Sequence, residues 1–176
     1  MPTTRTLVIY AHRNPESSRV NRVLLNAAAA LPHVKVHDLM ANYGDFRIDV
    51  AREQRLLLEH DAIVFQFPLY WYSTPAILKE WQDTVLAYGF AYGSGGDKLH
   101  GKKLLIATTS GGPANAYQPN GNNKFTMDEL LRPLQATANL TGMALQPIFA
   151  THGARMLDEA GLAQAARAYA ERLSAL

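Results

Sequence analysis

Three short stretches hold the residue types from which a binding site can be built. His12, Ser17, Ser18, Arg19 and Asn21 gather just ahead of an apolar pattern with helical spacing. Imidazole, hydroxyl and carboxamide groups there would join the free amides and positive dipole end of a helix, a setting that favours a phosphate. Tyr70, Trp71 and Tyr72 follow Phe67-Pro68-Leu69, and a loop shelters three aromatics only against something flat and apolar or at an interface. Thr109-Ser110-Gly111-Gly112 closes another apolar run, and its glycines let the backbone approach a ligand closely. Singly, each has a plainer reading: serines near a helix start are most often caps, a lone strand-end histidine is unremarkable, and Gly-Gly is a common turn.

The elements that must position these residues alternate in type. A short apolar strand spans 7–11, and a helix follows, capped by Ser17 or Ser18 and carried by Val20, Val23, Leu24, Ala27 and Leu31. Residues 34–39 alternate like a half-exposed strand, 49–59 read as a helix, and 62–67 as an apolar strand. Thr74 as cap and Pro75 as first helical residue open a helix to about residue 87. Residues 104–109 form a buried strand. Thr126 and Glu129 match a capping box for a helix running to Leu140, with Gly142 as its stop. A strand over 144–150 and a helix over 158–173 complete the chain.

Five strands separated by helices, several apolar throughout, describe an α/β three-layer sandwich in one domain, with a parallel sheet covered on both faces. No glycine-rich dinucleotide fingerprint follows the first strand, so the expected strand order is the flavodoxin-like 2-1-3-4-5. Ligands of such sheets bind beyond the carboxyl ends of the strands at the switch point between strands 1 and 3. That rule brings the three stretches together as a phosphate cradle, an aromatic wall and exposed amides. The inventory suits flavin mononucleotide (FMN): phosphate on the first helix, ring between the loops after strands 3 and 4.

With these motifs in their order, the chain resembles the flavodoxin-like NAD(P)H:quinone oxidoreductases of the DT-diaphorase type. The resemblance is closest to the bacterial branch of ancillary reductases of glutathione-regulated (Kef) potassium-efflux systems. It rests on Tyr10-Ala11-His12 with Ser18 and Asn21, on 68–75 running on through Leu78-Lys79-Glu80-Trp81, on 89–93, 99–102 and 108–112, and on 132–138. It implies flavin contacts at His12, Ser18, Arg19, Val20 and Asn21, at Leu69, Tyr70, Trp71 and Tyr72, and at Thr109, Ser110, Gly111 and Gly112. It further implies NADH or NADPH as donor, a quinone or similar small molecule as acceptor, and a homodimer with ring sites near the subunit interface. Peripheral docking on a potassium-efflux transporter is the alternative role. FMN is expected from the short chain length, FAD being used by longer relatives. Gly111, Gly112 and Tyr117 are the expected catalytic groups, the amides balancing charge and the phenol handling a proton. Where the family places a His after that Tyr, this chain has Asn122 or Asn123.

Composition removes other classes. The 176 residues carry a net charge of +2, too small for a nucleic-acid footprint and opposite in sign to the usual acidic electron carrier. Zero cysteines exclude disulfides, thiolate metal sites and a cysteine nucleophile and fit a cytoplasmic protein. The N-terminal residues lack a signal core, and no stretch is long enough to span a bilayer. Ser110 lacks the flanking glycines of a nucleophile elbow. His33 and His37 have no carboxylate at ligand spacing in sequence and no metal is expected there; Trp81 reads as core.

Overall fold

The computed structural model describes residues 4–176, so Met1–Thr3 of the N-terminal reading lie outside the described residues. Strands β1 (Thr6–Tyr10), β2 (Val34–Asp38), β3 (Ala62–Pro68), β4 (Lys103–Thr109), β5 (Ala144–Leu145) and β6 (Phe149–Thr151) form one sheet in the order β2-β1-β3-β4-β5, with β6 also on β4. All these pairings are parallel. Helices α1 (Val20–Ala29), α2 (Leu39–Tyr43), α3 (Val50–Glu59), α4 (Ala76–Val85), α5 (Met127–Leu130), α6 (Arg132–Leu140) and α7 (Glu159–Ser174) cover both faces. The period-two alternation of the strands divides the core accordingly. Leu7, Ile9, Ile63, Phe65, Leu104 and Ile106 pack with Leu57, Leu78, Trp81 and Leu134 on one face. Val8, Ala62, Val64 and Leu105 pack with Leu24, Leu162, Tyr169 and Leu173 on the other.

Trp81 is core as expected, and the box at Thr126 is present: Thr126 Oγ1 accepts from Glu129 N at 3.2 Å, and Thr126 N donates to Glu129 Oε2 at 2.7 Å. Several boundaries differ. Neither Ser17 nor Ser18 caps α1; Pro15–Ser17 form a 3-10 turn in which Ser17 Oγ donates to Asn14 O, and Arg19 occupies the cap position with no side-chain cap. Pro75 is the cap of α4, held extended at ψ 147°, so the helix opens one residue later than expected and Thr74 does not cap it. β2 stops at Asp38, whose carboxylate accepts from Met40 N and Ala41 N and starts the unanticipated α2. The expected 126–140 helix is broken at Leu131, because Pro133 opens a new first turn. The last strand is likewise split, Pro147 having no amide to donate between β5 and β6.

Candidate functional site

A cavity of about 510 Å³ opens beyond the carboxyl ends of β1, β3 and β4. From the first loop His12, Ser18, Arg19, Val20 and Asn21 line it, from the second Leu69 and Tyr70, from the third Thr109, Ser110 and Gly111. The three loops are tied by main-chain and side-chain bonds: Leu69 N donates to Thr109 O at 2.8 Å, and Asn21 Nδ2 donates to Thr109 Oγ1 at 2.8 Å. Since nothing caps α1, its first amides face the cavity without side-chain competition. His12 Nδ1 accepts from Asn14 N at 3.0 Å, which leaves the ring proton on Nε2 as a donor. Burial holds the His12 pKa below the ordinary imidazole value despite the opposing pull of Asp38, so the ring is neutral at neutral pH.

Trp71, Tyr72, Gly112 and Tyr117 do not line this cavity. Tyr70 N donates to Ser73 O and Ser73 N to Tyr70 O, both at 3.0 Å, closing a tight turn with Trp71 and Tyr72 at its corner. Both corner residues take positive φ, 47° and 63°. That primed hairpin geometry usually falls to Asn-Gly, and bulky aromatics there store strain of about 1–3 kcal/mol each. Trp71 is 92% exposed, and the Tyr72 hydroxyl donates to Asn123 Oδ1 at 3.2 Å. Gly112 backs onto Tyr117, which is buried; an added Cβ at Gly112 would sit 3.4 Å from the Tyr117 ring, whereas at Gly111 it would meet nothing.

The loop after β6 was missed in the sequence. It contributes Ala154 and Arg155 to the cavity, and its backbone clamps the glycine loop through Gly153 N to Gly112 O (2.8 Å) and Ala154 N to Ser110 O (2.9 Å). His152 Nδ1 lies 2.8 Å from Ser110 Oγ, and its ring leans against Tyr117, tilted by 32°, at a centroid distance of 5.2 Å. Ser110 Oγ also donates to Gly112 O at 3.0 Å. Because its single proton is used there, His152 carries its own proton on Nδ1 and donates it to Ser110. Burial keeps this imidazole below its ordinary pKa. The edge rule that located the other loops would have found residues 152–155 had the last strand been carried to Thr151.

A second polar cluster corrects the reading of His37. Its carboxylate partner comes from α3: Glu53, fully buried, accepts from His37 Nε2 (2.9 Å), Tyr43 Oη (2.6 Å) and Trp81 Nε1 (2.9 Å). Burial alone would raise the Glu53 pKa, but its three donors together hold it below the ordinary value. No group of three or more metal-ligating side chains forms among the described residues.

The residues in the cavity fit a flavin on two observations. Asn21 Oδ1 is buried at the cavity wall with no hydrogen-bond partner, and the side of Gly111 on which a Cβ would stand is open. The family comparison agrees with the architecture: a model of the flavodoxin-like fold matches residues 4–173, and the chain belongs to that family. NAD(P)H oxidoreductase YrkL of Bacillus subtilis (strain 168) is 47% identical over 171 residues, 97% of this chain and 98% of its own. The potassium-efflux ancillary protein KefG of Pectobacterium carotovorum is 49% identical over 170 residues, 97% of this chain and 93% of its own. Among solved structures, general stress protein 14 of Treponema denticola in complex with FMN superposes with a TM-score of 0.92 at 39% identity, over 97% of this chain and 98% of its own. An NADPH-quinone reductase of P. pentosaceus does so with a TM-score of 0.89 at 38% identity, over 96% and 97%.

Proposed function

We propose that the chain is an FMN-dependent oxidoreductase that takes electrons from NADH or NADPH and reduces quinones or similar small acceptors by two electrons. The observation that carries this reading is one cavity beyond β1, β3 and β4 in which uncapped α1 amides and the open face of Gly111 meet, lined also by Asn21, whose buried carboxamide oxygen has no partner. The similarity to YrkL and to the FMN-complexed and quinone-reductase structures supports it. When bound, the flavin supplies the redox chemistry, accepting a hydride from the nicotinamide and returning two electrons to the acceptor.

The protein's part is binding, orientation and charge. The amides at Val20 and Asn21, with Ser18 and the His12 Nε2 proton, hold the phosphate. Arg19, tied to Leu157 O, and Arg155 add positive charge. Leu69 and Tyr70 flank one face of the ring, and Thr109, Ser110 and Gly111 the other edge, where the Gly111 amide stabilises negative charge. Tyr117 handles a proton, with His152 against its ring and Ser110 fixing that imidazole. This arrangement puts an imidazole beside the tyrosine from the β6 side, in a chain that has asparagines where the resemblance leads one to expect histidine. Trp71 and Tyr72, in the turn that follows Tyr70 of the cavity wall, and Tyr88, Tyr92 and Phe125 are large apolar side chains left exposed, which suits burial of part of this surface by a second subunit.

Steady-state oxidation of NADH and NADPH with a quinone tests the reading. Turnover well above that of free FMN, with parallel double-reciprocal lines as one substrate vacates for the other, is expected; turnover no greater than free FMN rejects it. A second reading, an ancillary subunit of a potassium-efflux transporter, is favoured by the likeness to KefG. No helix among the described residues is long and apolar enough to cross a membrane, so such docking would be peripheral. Retention on membranes containing the transporter, and none on membranes lacking it, is the outcome that reading requires.

A further inference from the structure

β3 is apolar except for Gln66, which is fully buried in mid-sheet. By strand alternation it shares a face with Ala62 and Val64, both of which pack into the α1–α7 side of the core. A leucine would suit that face equally well, so the carboxamide is not there to fill space. Its partners form a chain. Tyr169 of α7, fully buried, donates its hydroxyl to Gln66 Oε1 at 3.1 Å; Gln66 Nε2 donates to Asn21 O at 3.0 Å; Asn21 Nδ2 donates to Thr109 Oγ1 at 2.8 Å.

The direction of the chain is fixed by chemistry. Asn21 O can only accept, so the Gln66 amino group must face it, and the Gln66 oxygen must then face the Tyr169 proton. Tyr169 thus sets the orientation of an amide whose two ends are nearly equal in shape. Gln66 pins the first turn of α1 to the sheet. Asn21, a residue of the cavity wall, is then left with a buried carboxamide oxygen that has no partner, and Thr109, already accepting a bond, keeps its own hydroxyl proton to donate.

We propose that Gln66 and Tyr169 are positioning residues for the flavin pocket, acting through Asn21 and Thr109 although neither lines the cavity. The inference rests on the FMN reading above. Each single replacement leaves a buried partner unsatisfied and lowers stability whatever its role, so the positioning role is read as a loss of FMN affinity measured on the folded protein. Flavin fluorescence quenching gives the Kd for FMN, and urea midpoints of the FMN-free protein give stability. Tyr169→Phe is expected to weaken FMN by about tenfold, the scale of one lost buried hydrogen bond, and also to lower the urea midpoint of the FMN-free protein, because Gln66 Oε1 is left buried without a donor. Gln66→Leu is expected to do at least as much, and the double variant no more than Gln66→Leu alone, since the two act in series. Unchanged Kd in Tyr169→Phe, or losses that simply add, overturns the proposal; because Tyr169→Phe removes one oxygen, it remains decisive if Gln66→Leu does not fold. A wild-type chain that refuses FMN defeats the cofactor reading separately. The relay is then judged in the FMN-free protein by hydrogen exchange over residues 20–24 and 109–111, which Tyr169→Phe must accelerate and whose constancy overturns it.

Discussion

His12 and His152 both carry an imidazole that burial keeps neutral, one in the first loop and one against Tyr117. Their folded pKa values lie below the ordinary 6.5. Between the folded and unfolded values the unfolded chain therefore binds more protons, and stability falls as pH drops through that window. Urea midpoints measured from pH 7.5 down to 5.5 are expected to decline, with a shallower decline in His152→Gln; a midpoint that rises on acidification contradicts the assignment. Tyr117 and Ser110 lie against His152, and the cavity on which it borders is shared with Gly161, Gln164 and Ala165 of α7; none of these is an acidic or basic side chain. The effect is accordingly one of burial rather than of a neighbouring charge.

At the scale of elements, Glu53 joins β2, α2, α3 and α4 through three donors. Glu53→Leu strands all three in the core, at roughly 1–3 kcal/mol each, so urea unfolding is expected to show a loss of several kcal/mol; a loss under about 1 kcal/mol would refute this role. The same carboxylate contributes stability above its unfolded value near 4.5, and that contribution disappears as pH falls through its lower folded value. Elsewhere the corner at Trp71 and Tyr72 concentrates strain beside the cavity. Trp71→Gly is expected to hold or raise the thermal midpoint, since a residue 92% exposed packs against little and glycine accepts positive φ freely. A fall of the kind produced by a core truncation would show instead that the indole is buried in an assembly.

That whole-molecule question concerns the exposed aromatics. Tyr72 reaches the 113–124 loop through Asn123, Tyr88 meets Tyr92 at 5.7 Å, and both pairs, with Trp71 and Phe125, keep large apolar side chains exposed. A homodimer burying them should weaken on Tyr88→Ala with Trp71→Ala, as read by sedimentation equilibrium; a wild-type monomer at tens of micromolar would remove the dimer proposal. How far the sequence carried the reading follows from which interactions are local. Strand order and the carboxyl-edge site followed from the alternation of apolar runs, and the Thr126 box from four adjacent residues. The breaks at Leu131 and Pro147 were signalled by prolines that the apolar pattern overrode. His37 with Glu53, Ser110 with His152 and Gln66 with Tyr169 join residues 16, 42 and 103 positions apart, and no spacing rule reaches such pairs.

The central claim is that the cavity beyond β1, β3 and β4 holds FMN, and flavin stoichiometry tests it most directly. Protein purified and reconstituted with FMN, then stripped of excess and denatured, is expected to release one flavin monophosphate per chain, with binding lost when Asn21 and Thr109 are both replaced by alanine. A colourless protein that retains neither FMN nor FAD would contradict the account.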